Sequence, residues 1–147
     1  MYIRHGIPKE MRIEAITWAF EYFKTVTPKD YFFAIIKQET NWDISAIILD
    51  DEDRIMGVYL LGDSQLDSLT VNEKYTNLKG VEGVLLAVSE EIRGLGWGNE
   101  LKNYPKTLEI DYIWGQQLKT LNNVDDWLKR RELIAETKSV YITAEIF

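Results

Sequence analysis

Arg93-Gly94-Leu95-Gly96-Trp97-Gly98 is the stretch whose residue types and spacing can do chemistry. Glycines at alternate positions let a backbone turn sharply and let a bulky anion approach the main chain, because no Cβ stands in the way. A helix that starts in such a turn adds amides without internal partners and the positive end of its dipole, so a phosphate or pyrophosphate can replace water as their acceptor. Arg93 adds a fixed charge to that nest. The elements that must hold the turn are legible on either side of it. Val84-Leu85-Leu86-Ala87-Val88 is a short apolar run, expected to be a strand buried on both faces. Residues 99–104 are expected to be a helix that Pro105 stops.

Two common phosphate loops do not fit. A Walker A loop needs Lys-Ser/Thr after its last glycine, whereas Gly98 is followed by Asn99-Glu100; a dinucleotide fingerprint Gly-x-Gly-x-x-Gly is absent, because Gly94, Gly96 and Gly98 are evenly spaced. The segment resembles motif A of the GNAT superfamily of N-acetyltransferases, Gln/Arg-x-x-Gly-x-Gly/Ala, and the approach from Leu86 through Ile92 is similar to the family's strand and turn. The resemblance implies acetyl-CoA as cosubstrate and a primary amine as acceptor. Its pyrophosphate would lie on the amides of Arg93, Gly94, Leu95, Gly96, Trp97 and Gly98, with the Trp97 side chain packing on the sheet. Leu86, Ala87 and Val88 would border the pantetheine arm.

The resemblance also assigns roles in catalysis. A backbone N–H near Val88 would serve the oxyanion. Glu82 stands where some members place a general base; read by itself, it is equally a solvated carboxylate at a strand entrance. The family's late helix often carries Phe-Tyr-x-x-x-Gly-Phe, whose tyrosine protonates the CoA sulfur, and here Leu128 and Glu132 occupy the tyrosine and glycine positions. That leaves water, another phenol (Tyr104, Tyr112 or Tyr141), or a thiolate that departs unaided. The asparagine that commonly precedes that helix and contacts CoA is Asn122 or Asn123.

The rest of the chain sets the bounds. Its 147 residues suit a single domain over 1–147. A hydrophobic share of 46% indicates a packed core, and a net charge of −7 argues against nucleic-acid or anionic-membrane partners while favouring cationic acceptors. Without cysteine there is no disulfide or thiolate nucleophile, and with one histidine, His5, transition-metal chemistry is not expected. No signal core or membrane-length run is visible, so a cytoplasmic location is expected, with a homodimer as a further possibility.

The remaining elements follow from periodicity. Residues 2–4 are expected as an edge strand, and residues 9–24 as an amphipathic helix with Ile13, Ile16, Phe20 and Phe23 on its apolar face. Thr27 is expected to cap a second helix with Pro28 at its first position. Residues 44–49 and 55–61 read as a hairpin around the acidic turn Asp50-Asp51-Glu52-Asp53, which lacks the spacing of a calcium loop. A polar stretch, 62–80, is long enough to cover a substrate site. Strands over 107–115, 133–137 and 140–147, and a helix capped by Asn123, complete the order β-α-α-β-β-β-α-β-α-β-β. Gln116 and Gln117, after the first of these strands, are either acceptor contacts or loop residues. That order is similar to the GNAT fold, which implies an α/β (α+β) architecture: a mixed sheet of six to seven strands flanked by four helices.

Overall fold

A computed structural model describes residues 1–66, 73–121 and 123–147. Seven strands, β1 (Tyr2–His5), β2 (Ala46–Leu49), β3 (Ile55–Gly62), β4 (Gly80–Val88), β5 (Tyr112–Leu118), β6 (Glu132–Glu136) and β7 (Val140–Ile146), form a sheet in the order β1-β2-β3-β4-β5-β7-β6. Four α-helices accompany them among the described residues: α1 (Arg12–Phe20), α2 (Lys29–Glu39), α3 (Trp97–Asn103) and α4 (Val124–Arg130). The element order matches the sequence reading throughout. Contacts divide the chain into two compact units, Met1–Gly62 with Val84–Leu108, and Asp63–Gly83 with Glu109–Phe147. None of the described helices is long and apolar enough to cross a membrane.

In the first unit β1 and β3 flank β2, both antiparallel to it, and β3 is buried along its whole length, as its nearly unbroken apolar sequence requires. Ala15, Ile16 and Ala19 of α1 and Phe32 and Ile36 of α2 join Val58 in the core. Two local expectations change here. The first helix is shorter than residues 9–24: a 3-10 turn, Lys9–Met11, leads into α1, and after Phe20 the amides of Tyr22 and Phe23 bond three residues back to Ala19 and Phe20. Its buried stripe is also rotated, so Ile13 is 56% exposed while the small Ala15 and Ala19 allow close packing. Thr27 does not cap α2; Pro28 takes that position in extended conformation, and its carbonyl accepts the Phe32 amide at 3.0 Å.

In the second unit the first residues of β4 run parallel to β5, from Gly80↔Tyr112 to Gly83↔Gly115. Strand β7 pairs antiparallel with β5 and β6, with a register shift between Leu133 and Ala135. Tyr75, Tyr112 and Ala144 form the core, the two rings meeting edge to face at 5.0 Å. Strand β5 starts at Tyr112, not at residue 107, because Tyr104–Thr107 forms a 3-10 turn around Pro105 and the Lys79 carbonyl accepts the Asp111 amide at 2.6 Å. Its start moves, and with it Gln116 and Gln117 become strand residues.

Strand β4 corrects a further expectation. It begins at Gly80 and alternates in burial rather than being covered on both faces: Leu85 and Ala87 are buried, while Val84, Leu86 and Val88 are half-buried.

Candidate functional site

The turn after β4 is built by hydrogen bonds at its entrance and by backbone conformation at its exit. The Ser89 hydroxyl accepts the Glu91 amide at 3.2 Å, a 3-10 turn spans Glu90–Ile92, and buried Ile92 anchors it. Gly94 and Gly96 then adopt φ of +80° and +88°, and Gly96 is the N-cap of α3. Those angles disfavour any residue with a Cβ. Gly98 has no such reason to be glycine. A Cβ there would find nothing within 4 Å beyond its own helix, so neither strain nor packing excludes a side chain. The omission keeps the space beside the first-turn amides of α3 open, and those amides have no partner within the helix. An anion the size of a pyrophosphate fits such a place. Arg93 is exposed, with Nη2 donating to the Val88 carbonyl at 3.4 Å and Nη1 3.8 Å from Glu90 Oε1. Contacts this weak and exposed release the guanidinium readily to a phosphate.

Strand β4 places the other candidates. Ala87 is buried, whereas Leu86 and Val88 keep partial exposure. Glu82 is not at the strand entrance. It is inside the strand, half-buried, and cross-strand from Trp114. Val88 lies six residues further along the same strand.

No family model matches the chain, and no curated protein matches it. Solved structures do. A GNAT-family acetyltransferase from Listeria monocytogenes aligns with a TM-score of 0.64 at 11% identity, over 99% of this chain and 94% of that one. The fold is that of the GNAT acetyltransferases. Naa50 of Arabidopsis thaliana, in complex with the bisubstrate analogue CoA-Ac-MVNAL, aligns with a TM-score of 0.67 at 14% identity, over 99% and 98% of the two chains. The PaiA N-acetyltransferase of Thermoplasma acidophilum, in complex with coenzyme A, aligns with a TM-score of 0.63 at 11% identity over the full length of both.

Against the GNAT pattern, the late helix α4 keeps its place but not its phenol. Leu128 is half-buried in it, and Asn123 is its N-cap, with no side-chain capping bond; Asn122 lies outside the described residues. Two of the three alternative phenols are engaged by the fold. Buried Tyr104 donates its hydroxyl to the Ile44 carbonyl at 2.9 Å, and burial pushes its pKa up to about 12. Tyr112 is fully buried; its oxygen accepts the Leu66 amide at 3.0 Å and donates to Gln65 Oε1 at 3.4 Å. Tyr141 is half-buried in β7 beneath the Lys119 ammonium, 4.9 Å from the ring centroid.

Other candidates resolve locally. Gln116 is exposed, but Gln117 is 7% exposed and accepts the Thr143 hydroxyl at 2.7 Å, so it is a core residue rather than a loop contact. His5 lies exposed on β1 beside the Tyr104 ring, in keeping with a surface role. Within the 62–80 stretch, Gln65 bonds both backbone groups of Gly80, and Ser64 accepts the Trp114 indole N–H at 2.7 Å; residues 67–72 lie outside the described residues. The acidic turn binds itself, and no cluster of His, Cys, Asp or Glu suited to a metal occurs among the described residues. Sequence reasoning missed Arg131, which is buried against β5. Its only sequence signal is a third consecutive basic residue after a helix whose last turn already carries Lys129 and Arg130.

Proposed function

We propose that this protein is an N-acetyltransferase that moves an acetyl group from acetyl-CoA to a primary amine by direct attack in a ternary complex. The observation that supports it most is the turn from Arg93 to Gly98, with two glycines in left-handed backbone and a third that neither strain nor packing requires. Similar folds hold coenzyme A and a CoA-based bisubstrate analogue. Arg93 and the amides from Gly94 to Gly98 hold the pyrophosphate, and Leu86, Ala87 and Val88 border the arm. When bound, acetyl-CoA supplies an activated acetyl group.

A backbone N–H near Val88 serves the oxyanion. Glu82 takes the amine's proton directly or through water, a step worth about 10²–10⁴-fold. Trp114, its cross-strand neighbour, is held by Ser64 through its N–H and so offers the amine a ring face.

The engaged phenols and Leu128 favour a second reading, a catalytically weak acyl-CoA-binding or interaction module. Calorimetric titration with acetyl-CoA, followed by CoA release across a panel of primary amines, separates them. Binding with turnover supports the enzyme, binding without turnover supports the module, and no binding to the folded protein rejects both.

A further inference from the structure

Strand register sorts the side chains of the second unit onto two faces. Ile113, Gly115 and Gln117 of β5 share one face with Tyr141, Thr143 and Glu145 of β7. Polar pairs occupy that face: Arg130 with Glu145 at 3.3 Å, Lys119 with Glu136 at 2.6 Å and over the Tyr141 ring, and Thr143 with Gln117 at 2.7 Å.

The opposite face is built differently. Trp114, Gln116 and Leu118 of β5 lie on it beside Ala144, Ile142 and Val140 of β7, and Glu82 joins them through its pairing with Trp114. Tyr75, Leu66 and Leu78 pack over its near half, around Tyr112 and Ala144. The far half keeps contact with solvent: Gln116 is exposed, and Leu118, Val140 and Ile142 are half-buried. It is a floor of three aliphatic side chains and one neutral amide, running about 13 Å along β5 from Trp114 to Leu118. Glu132, which pairs with Ala144, is held by Lys74 and the Tyr75 hydroxyl at the covered end.

We propose that the acceptor is a free primary amine on an apolar body without a second charge, an alkylamine or arylalkylamine. The proposal rests on the acetyltransferase reading and names its acceptor class. The ammonium end meets Glu82 and the Trp114 ring face, a carboxylate and a π-surface that both favour a cation. The body lies on Leu118, Val140 and Ile142 and removes their apolar surface from water. A diamine fits worse, because its second ammonium would leave water over aliphatic side chains. A peptide fits worse as well. It brings a carbonyl and an N–H at every residue, and Gln116 is one amide.

CoA release from acetyl-CoA by the full chain, compared between hexylamine and 1,6-diaminohexane, tests this, because the two amines differ only in the distal charge. The expected kcat/KM is higher for hexylamine by about tenfold or more, the cost of desolvating that charge. 2-Phenylethylamine should behave like hexylamine, and an uncharged apolar tripeptide amide should be slower than either. Gln116→Glu changes an exposed position and places a carboxylate on the floor, so it should narrow the ratio about three- to fivefold by improving the diamine. Equal use of the two amines, a preference for the diamine, or faster use of the tripeptide overturns the proposal, as does an unchanged ratio in a folded, active Gln116→Glu. Acetyl-CoA binding without turnover of any of these amines instead rejects the acetyltransferase reading, and the acceptor class with it.

Discussion

Of the turns in the first unit that carry residues in left-handed backbone, those after β2 and after β4 end in opposite ways. The turn after β2 closes on itself: Asp50 Oδ1 accepts the Glu52 and Arg54 amides at 2.9 and 2.8 Å, Oδ2 accepts Arg54 Nε at 2.7 Å, and Asp53 reaches φ +60° within that clasp. In the turn after β4 the Ser89 hydroxyl accepts the Glu91 amide and Arg93 donates back to the Val88 carbonyl, and beyond them Gly94, Gly96 and Gly98 leave main chain uncovered. A carboxylate that occupies its own turn's amides removes them from any ligand, whereas glycines leave them available. Charge alone would have pointed the other way, since the acidic turn looks like the site for an ion.

The contrast is broken most directly at Gly98. Gly98→Val adds bulk only to open space, so the protein should keep its thermal midpoint while acetyl-CoA affinity, read by calorimetry, falls at least tenfold, about 1.4 kcal/mol. Unchanged affinity would remove the turn as the anion site. Gly96→Ala should lose both, because forcing an L-residue to φ +88° costs about 1–2 kcal/mol, visible as a midpoint lowered by several degrees. Tyr104→Phe should cost about 1 kcal/mol by denaturant titration and leave any acetyl transfer intact, which separates a structural phenol from an acid. Its raised pKa sets the pH window: the phenol's contribution is complete below pH 10 and declines as pH rises through about 12.

The closed turn gives the smallest effect and the clearest control. The Arg54 backbone amide, ahead of the other partners, holds the Asp50 carboxyl below its ordinary value of 3.8. A depressed folded-state value means stability present above pH 3.8 and lost as pH falls below it. Asp50→Ala should therefore lower the thermal midpoint slightly at pH 7, by less near pH 3, and leave acetyl-CoA binding unchanged at both.

Element types were legible wherever a pattern was long or chemically marked. The hairpin of β2 and β3, the strand–turn–helix at β4 and α3, and the acidic start and basic end of α4 all form as read. What was misread depended on neighbours. The stripe of α1 turned toward Ala15 and Ala19 because close packing favours small residues there, and β5 began late because Pro105 supports a 3-10 turn and Asp111 pairs with Lys79. Gln117, read as an acceptor contact or a loop residue, is instead a buried strand residue whose side chain accepts the Thr143 hydroxyl.

By itself the sequence determined the element order and the glycine turn, because both rest on interactions within a few residues: alternation, helical spacing, and the φ angles that only glycine adopts freely. Tertiary structure decided what no local pattern encodes. It engaged Tyr104 and Tyr112 in the core, and brought Arg131 to Gly115, residues remote in sequence whose meeting depends on strand register.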